Sequence, residues 1–562
     1  MVAFGKFLSY FPLCFGYWKK YADLEHKLAG IAGVTSVYEQ GVAAIPQSVD
    51  LWVHYLKHAQ AQEDEQVPGQ DNGQELLKLF ERAAQACGRD WKSSPFWDLY
   101  LAQAQQSRDK TVVAKVYAQL LAIPHLYHDQ YVAKFNAFVA DTAVETIATP
   151  EEIDAIKQEI EASMGQMSEI ALAEEVKSKA AELRQKVAMA TSVEANRCKP
   201  FEDRLARNYF HVKDVDEQQK TAWKTYLCMM IDASYDREVI AFTFERCLIV
   251  CALYEEFWLQ FAYWHRGDPQ AMAAVLQRAI LFTANKPNCY LALASAQEAI
   301  GADGIEGARA TYKMATETFT TDSEGFVELA VRYSNFERRQ NEAQSAVAVL
   351  DAAVALCEAG TATHSYLLGA KAELQSKVGE AADARATYEA CARANPSNKD
   401  TYLRWLNWEQ SFYTEADEDV SVRTESVFAV VKEVGTAALA EQDLADLALR
   451  RVRLLDTLGS DAALLQSARL DYFGTYGSGA TFNPATAAKK RHAQDAMAQP
   501  VPKAAKVDAQ VPVVGVVAPA AHVDPMAQHN AWAQQQNQWG NYQQQGYGMQ
   551  QGWGNQQYGW GQ

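Results

Sequence analysis

The 562-residue sequence lacks most of what a β-rich, membrane-spanning or catalytic protein needs. Alternation of apolar and polar residues with period two is hardly seen, so strands are not expected. No apolar run is long enough to cross a membrane. The apolar start is interrupted by Lys6, Pro12 and Lys19-Lys20, and it reads as a first helix of the body and not as a signal peptide. None of the nine cysteines forms a C-x-x-C pair, and an odd, scattered set fits free thiols in a reducing compartment. The phosphate-binding glycine motifs, H-E-x-x-H and G-x-S-x-G are all missing. His54 and His58 lie four apart, but two histidines make a poor metal site. No catalytic residue, cofactor or metal is expected, and the chain does not read as an enzyme. Bases are also short: 52 Lys and Arg stand against 70 Asp and Glu, a net charge of −18. That balance disfavours broad contact with RNA phosphates and suits basic protein segments.

What is present is a repeated aromatic frame. Trp18, Tyr21 and Glu25 set it out, and it returns at Trp52/Tyr55, Trp97/Tyr100, Trp223/Tyr226 and Trp258/Phe261. It returns in altered form at Tyr290/Leu293/Gln297, Ala330/Tyr333/Glu337, Tyr366/Gly369/Glu373 and Tyr402/Trp405/Glu409. Positions one and four share a helix face. A second signature follows each frame, as in Val37-Tyr38-Glu39, Phe80-Glu81-Arg82-Ala83 and Phe244-Glu245-Arg246-Cys247. Spacing in the mid-thirties predicts an all-α solenoid of stacked helix pairs, with the rings as core and the glutamates bonded to a neighbouring helix end or to an arginine of the second helix. Pro46, Pro124, Pro287 and Pro396 are expected to close units, and Gly301, Gly304 and Gly307 to lie in one turn.

Four segments follow. Residues 1–140 form an N-terminal repeat block. Residues 141–200 form an acidic helical connector, with ten acids and one base between Asp141 and Glu175 and one or two long polar helices over 151–190. Residues 201–476 form a C-terminal repeat block, and residues 477–562 a disordered tail, Ala/Pro-rich and then rich in Gln, Gly, Trp and Tyr. The tail carries no Asp, Glu, Lys or Arg after Asp524. Its rings suit weak self-association or stacking on RNA bases. Lys489, Lys490, Arg491, Lys503 and Lys506 form a split basic cluster of the kind that serves nuclear import.

Four strings carry a family resemblance: Phe11-Pro12-Leu13-Cys14-Phe15-Gly16-Tyr17-Trp18 running on to Glu25; Val37-Tyr38-Glu39-Gln40-Gly41 with Ile45-Pro46 to Trp52; Arg207-Asn208-Tyr209-Phe210-His211-Val212-Lys213; and Phe244-Glu245-Arg246-Cys247-Leu248 running on to Trp258. The frame resembles the HAT (half-a-TPR) repeat of RNA-processing proteins, and the strings together resemble the pre-mRNA-processing factor 39 family over roughly residues 4–476. The resemblance implies a nuclear scaffold associated with U1 snRNP proteins, supporting 5′ splice-site recognition and alternative splicing, with pre-mRNA and U1 snRNA reached indirectly. It also implies a homodimer, or a heterodimer with a related HAT protein, made through the C-terminal block, here expected at about residues 330–476. Direct RNA binding by the tail, or scaffolding in 3′-end cleavage or ribosomal RNA processing, are the alternatives. The later repeats depart from the pattern, with Tyr290, Ala330, Tyr366 and Tyr402 where Trp is expected.

Overall fold

The computed structural model describes residues 2–29, 31–65, 72–106, 110–165, 168–321, 325–411 and 420–476. The described residues hold 25 α-helices, one π-helical turn at Val431–Gly435 and no strand. The chain is an α-solenoid of HAT helix pairs. The described residues divide into two compact units, residues 2–283 and residues 284–476.

In the first unit the pairs are Phe15–Ala29 with Ile31–Ala44, Val49–Glu65 with Asn72–Cys87, and Ser94–Gln106 with Lys110–Leu121. Later in the same unit come Glu217–Asp232 with Arg237–Cys251 and Glu255–Trp264 with Pro269–Phe282. Between these groups the acidic stretch folds as Val144–Ile147, Pro150–Met164 and a long helix, Glu169–Glu202. Thr149 caps the second of these through a reciprocal bond pair with Glu152, and Pro150 takes the first turn, where its missing N–H costs nothing. The long helix extends past the expected 190 to Glu202. It is also not a free connector. Val176, Ala180, Ala188, Thr191, Ala195 and Cys198 form a buried stripe along it. It packs on Lys110–Leu121, His128–Ala140 and Pro150–Met164. His128, itself buried, bonds its Nε2 to the Ala188 carbonyl at 2.9 Å and fixes that contact.

The second unit stacks Pro287–Ile300 with Ala302–Thr318, Phe326–Arg339 with Ala343–Leu356, Ala362–Val378 with Ala381–Ala394, Lys399–Ser411 with Val420–Val430, and Glu441–Leu458 with Ala462–Tyr476. Pro287 opens a helix at its first position, whereas the sequence suggested that it closes a unit. Of the three glycines expected in one turn, only Gly301 lies between the helices, with φ +94. Gly304 and Gly307 are inside Ala302–Thr318. The reason is close packing. A Cβ on Gly304 would lie 1.9 Å from the Gln297 carbonyl oxygen, so only glycine lets the two helices of this pair meet.

Candidate functional site

The repeat positions form one recurring arrangement, and its details differ between the units. In the first unit Trp18, Trp52, Trp97, Trp223 and Trp258 are all buried. Four of these indoles donate Nε1–H to a backbone carbonyl just before their own helix: Trp18 to Pro12 at 2.8 Å, Trp52 to Pro46 at 2.8 Å, Trp97 to Gly88 at 3.0 Å and Trp258 to Ala252 at 2.7 Å. The ring fills the core while its one polar atom ties down the inter-helix turn. Gly88 has to be glycine for this, since a Cβ there would meet the Trp97 ring at 2.8 Å and the Ala84 carbonyl oxygen at 2.4 Å. The Trp223 indole N–H is buried without a hydrogen-bond partner among the described residues. It follows a longer loop, 203–216, drawn around Arg207, whose guanidinium donates to the carbonyls of His211 and Lys213.

Position four adds a second tie. The Tyr55 hydroxyl donates to Glu39 at 2.6 Å, and that of Tyr100 donates to Glu81 at 3.1 Å. Burial first, and then the carboxylate partner, raises both phenol pKa values. Tyr226 stacks on Phe201 at 5.5 Å and Phe261 on Phe244 at 4.7 Å. Tyr21 is half-buried, stacked on Phe4 at 5.7 Å.

An arginine then joins three helices, a role the sequence reading did not assign. Arg82 lies over the Trp52 ring at 5.1 Å and binds both oxygens of Glu39. Arg278 lies over Trp258 at 5.5 Å and binds both oxygens of Glu245. Arg246 lies over Trp223 at 5.8 Å, binds both oxygens of Glu202, and reaches Asp90 at 2.7 Å. In each case a guanidinium on one second helix spans the intervening Trp and takes a carboxylate from the helix before it, combining cation–π and forked hydrogen bonding. The Arg82 contact holds the Glu39 carboxyl below its usual range. Burial opposes the charge on Arg246, yet Asp90 and then Glu202 more than offset it and keep it charged. The visible signal was the Glu-Arg dipeptide one helix after a Trp, at Glu81-Arg82 and Glu245-Arg246.

The second unit uses both directions: Arg339 and Arg451 reach back to both oxygens of Glu298 and Glu425, while two other arginines reach forward. Arg309 reaches forward to both oxygens of Glu337 at 2.7 and 2.9 Å, and Arg385 to both oxygens of Glu409 at 2.7 and 3.0 Å. These carboxylates are 2% and 0% exposed. Trp405 also donates to Glu409, at 3.2 Å. Glu373 instead takes Arg404, which reaches back from Lys399–Ser411 past the intervening helix, at 2.7 Å. Tyr402 donates to the Pro396 carbonyl at 3.2 Å, the same tie that the indoles make in the first unit. Tyr333 is half-buried and stacks on Tyr312 at 5.2 Å, while Phe336 takes the fully buried place. Tyr366 departs from its expected core role. It is half exposed, because Leu367 and Leu368 face inward there, and Arg404 covers its ring at 5.2 Å. Glu25 also differs from the expectation of a bonded carboxylate. It is buried, yet its Oε2 has no hydrogen-bond partner among the described residues.

Among the described residues no group of three His, Cys, Asp or Glu is placed to hold a metal ion. His54 is pushed down to about 4 by burial and by Lys19 and Lys57. His58 contacts Gln62 at 2.8 Å. The basic residues Lys489, Lys490, Arg491, Lys503 and Lys506 lie outside the described residues, as does the whole of 477–562. At the last described helix, Ala462–Tyr476, Leu470 and Phe473 are exposed and Ala468 alone is fully buried.

The two halves of this arrangement have a match. The description "PRP39 N-terminal HAT repeat" fits residues 1–137, and "PRP39 C-terminal HAT repeat" fits residues 196–339. The chain belongs to the pre-mRNA-processing factor 39 family. It is 28% identical over 479 residues to pre-mRNA-processing factor 39 of Xenopus laevis, covering 82% of this chain and 72% of the relative. The human pre-mRNA-processing factor 39 is 26% identical over 490 residues, covering 83% and 71%. Outside the factor 39 proteins, cleavage stimulation factor subunit 77 of Arabidopsis thaliana is 23% identical over 331 residues, 55% of this chain and 40% of that protein.

Proposed function

We propose that this factor 39 family member is a non-catalytic scaffold of pre-mRNA splicing that works in the nucleus. It associates with U1 snRNP through protein–protein contacts and supports recognition of 5′ splice sites, alternative ones included. Pre-mRNA and U1 snRNA are reached indirectly. The observation that carries the reading is the family match across both repeat modules. The arginine–carboxylate pairs between helices support it, since they tie the repeats into one continuous stack of the kind that presents surface to partners. In this reading residues 1–140 and 201–476 are the repeat blocks, 141–200 the connector, and 477–562 a tail whose basic cluster directs import. The chain pairs with a second copy or a related HAT protein through about 330–476, where the exposed Leu470 and Phe473 suit such a contact. Holding several partners on one body raises their local concentration at the splice site.

The test is affinity purification of the tagged chain from cells, with sequencing of bound small RNA and identification of bound proteins. Enrichment of U1 snRNA with U1 proteins is expected. Co-purification of 3′-end cleavage factors without U1 snRNA would move the chain to the role suggested by its weaker likeness to cleavage stimulation factor subunit 77. Light scattering at micromolar concentration tests the pairing; a monomer mass would remove it.

A further inference from the structure

The helices Phe15–Ala29 and Val49–Glu65 are the first helices of adjoining pairs, and they pack directly on one another. Each turns its Trp and Tyr rings inward. Lys19, Lys20, Asp23, His26 and Lys27 stand on the other side of the first, within about a third of its circumference. Asp50, His54, Lys57 and His58 stand likewise on the second. The two sets meet across a cleft, where the His26 and His58 rings lie 6.4 Å apart. The chain carries −18 overall, yet here four lysines face two carboxylates. None of these lysines makes an ion pair with a described residue, and neither do Asp23 and Asp50. Elsewhere in this unit a lysine beside a neighbouring helix finds its acid: Lys134 bonds Asp98 at 3.1 Å and Lys224 bonds Glu256 at 2.6 Å. Lys19 and Lys57 instead crowd His54. Burial, and then these two ammonium groups, push it down to about 4. Asp50 is raised by burial and by Asp90, so its charge interacts with another acid. Like charges gathered without a counter-charge cost free energy, and an anion laid between them removes that cost.

We propose that this cleft binds an acidic segment of a partner protein, laid along it in extended form, with carboxylates on Lys19 and Lys57. The inference deepens the scaffold reading above and rests on it for the partner being a protein. A run of separate carboxylates fits better than a single phosphate. Lys19 and Lys27 lie about 12 Å apart along their helix, and alternate side chains of an extended chain recur about every 7 Å. The His54 ring, held neutral, adds an N–H donor between the lysines. RNA is the poorer occupant. Neither helix has a Phe, Tyr or Trp among its exposed residues on which bases could stack, and the charge of the whole chain repels a polyanion. The contacts lie in exposed, salt-screened surroundings, so the binding is weak and falls with ionic strength.

The test is fluorescence anisotropy of the full chain with a labelled ten-residue probe in which Glu and Gly alternate. Saturable binding is expected at about 50 mM salt, weakening severalfold by about 200 mM. Lys19→Glu and Lys57→Glu should each weaken it about tenfold, and Lys57→Arg should leave it within about twofold. Lys115→Glu, on the second helix Lys110–Leu121, should not move it. The thermal midpoint of Lys57→Glu should match that of the parent, so a loss there reports the surface and not the fold. In NMR with isotope-labelled histidine, the His54 ring should titrate at higher pH when the probe is bound, because its carboxylates offset the two ammonium groups. No binding, an equal loss in Lys115→Glu, or a His54 titration that stays put would overturn the proposal. So would a ten-nucleotide oligouridine that binds more tightly than the probe and is weakened by the same two reversals, which would assign the cleft to RNA. Each of these results would leave the recovery of U1 snRNA as the separate judge of the scaffold reading.

Discussion

The two units stack the same kind of helix pair and differ in where they place ring volume and buried carboxylates. In the first, a large indole fills the core and an arginine lies over it, reaching back to a carboxylate; the Arg82 and Glu39 side chains are 49% and 40% exposed, whereas Arg246 and Glu202 are buried. In the second, the indole at position one is gone, and two arginines, Arg309 and Arg385, reach forward to carboxylates deep in the stack, Glu337 and Glu409. Where ring volume is lost, a charged group has come inside, and a buried charge has to be paired. The first unit therefore leans on ring area, with one buried ion-pair cluster at Arg246, and the second leans more on interior carboxylates whose pairs fail badly if one member is removed.

The sharpest way to break this contrast is to remove a ring and a carboxylate in turn. Trp97→Ala should destabilise the first unit by about 3–5 kcal/mol, the range for a buried Trp. Faster hydrogen exchange in Ser94–Gln106 and its neighbours would report it, with the second unit unaffected. Glu409→Ala should cost the second unit about 3 kcal/mol or more, because Arg385 loses its two bonds to this carboxylate and the buried Arg423 loses the carboxylate 3.8 Å away. A cost as small as that of a surface pair would mean that the interior charge is not structural.

A third test uses acid. His125 is buried with both ring nitrogens lacking a hydrogen-bond partner among the described residues. Burial, helped by His128, pushes it down from the usual 6.5 to about 4. The folded state thus prefers the neutral ring, and the unfolded chain takes up the proton first. This contribution is complete above pH 6.5 and is lost as pH falls toward 4, amounting to roughly 2–3 kcal/mol. Denaturant titrations at pH 7 and pH 4.5 should show a smaller drop in His125→Leu than in the parent chain.

Smaller effects sharpen the picture within the first unit. Trp258→Phe removes the bond to the Ala252 carbonyl and should cost about 1–2 kcal/mol. Trp223→Phe removes an N–H that has no hydrogen-bond partner and should cost clearly less. Last, Glu39→Ala should cost under about 1 kcal/mol and should lose even that in high salt. Equal effects for Glu39 and Glu409 would end the comparison.

The helix pairs were legible because ring spacing survives in the sequence. Trp52 and Tyr55 share a face in any helix that contains them. The clasps were less legible, since Arg82 and Glu39 lie on different helices and only packing decides whether a guanidinium turns back or forward. Tyr366 misled because Ser365-Tyr366-Leu367-Leu368 offers two inward registers, and the aliphatic one is the one buried. Gly304 misled because glycine marks close approach as readily as it marks a turn. The long helix Glu169–Glu202 was read as polar and solvated because its buried stripe consists mostly of alanine, valine and threonine, which hold no ring to announce a core.

The directed reach of the guanidinium groups has a consequence for how such a chain can grow or be rebuilt. A helix pair such as the one holding Arg82 carries half of a connection and expects the other half, Glu39, from a particular side. Duplicating it beside itself supplies that half, since Glu81 precedes Arg82 on the same helix. A pair set beside a neighbour without a carboxylate at that place would leave its arginine with nothing to bind.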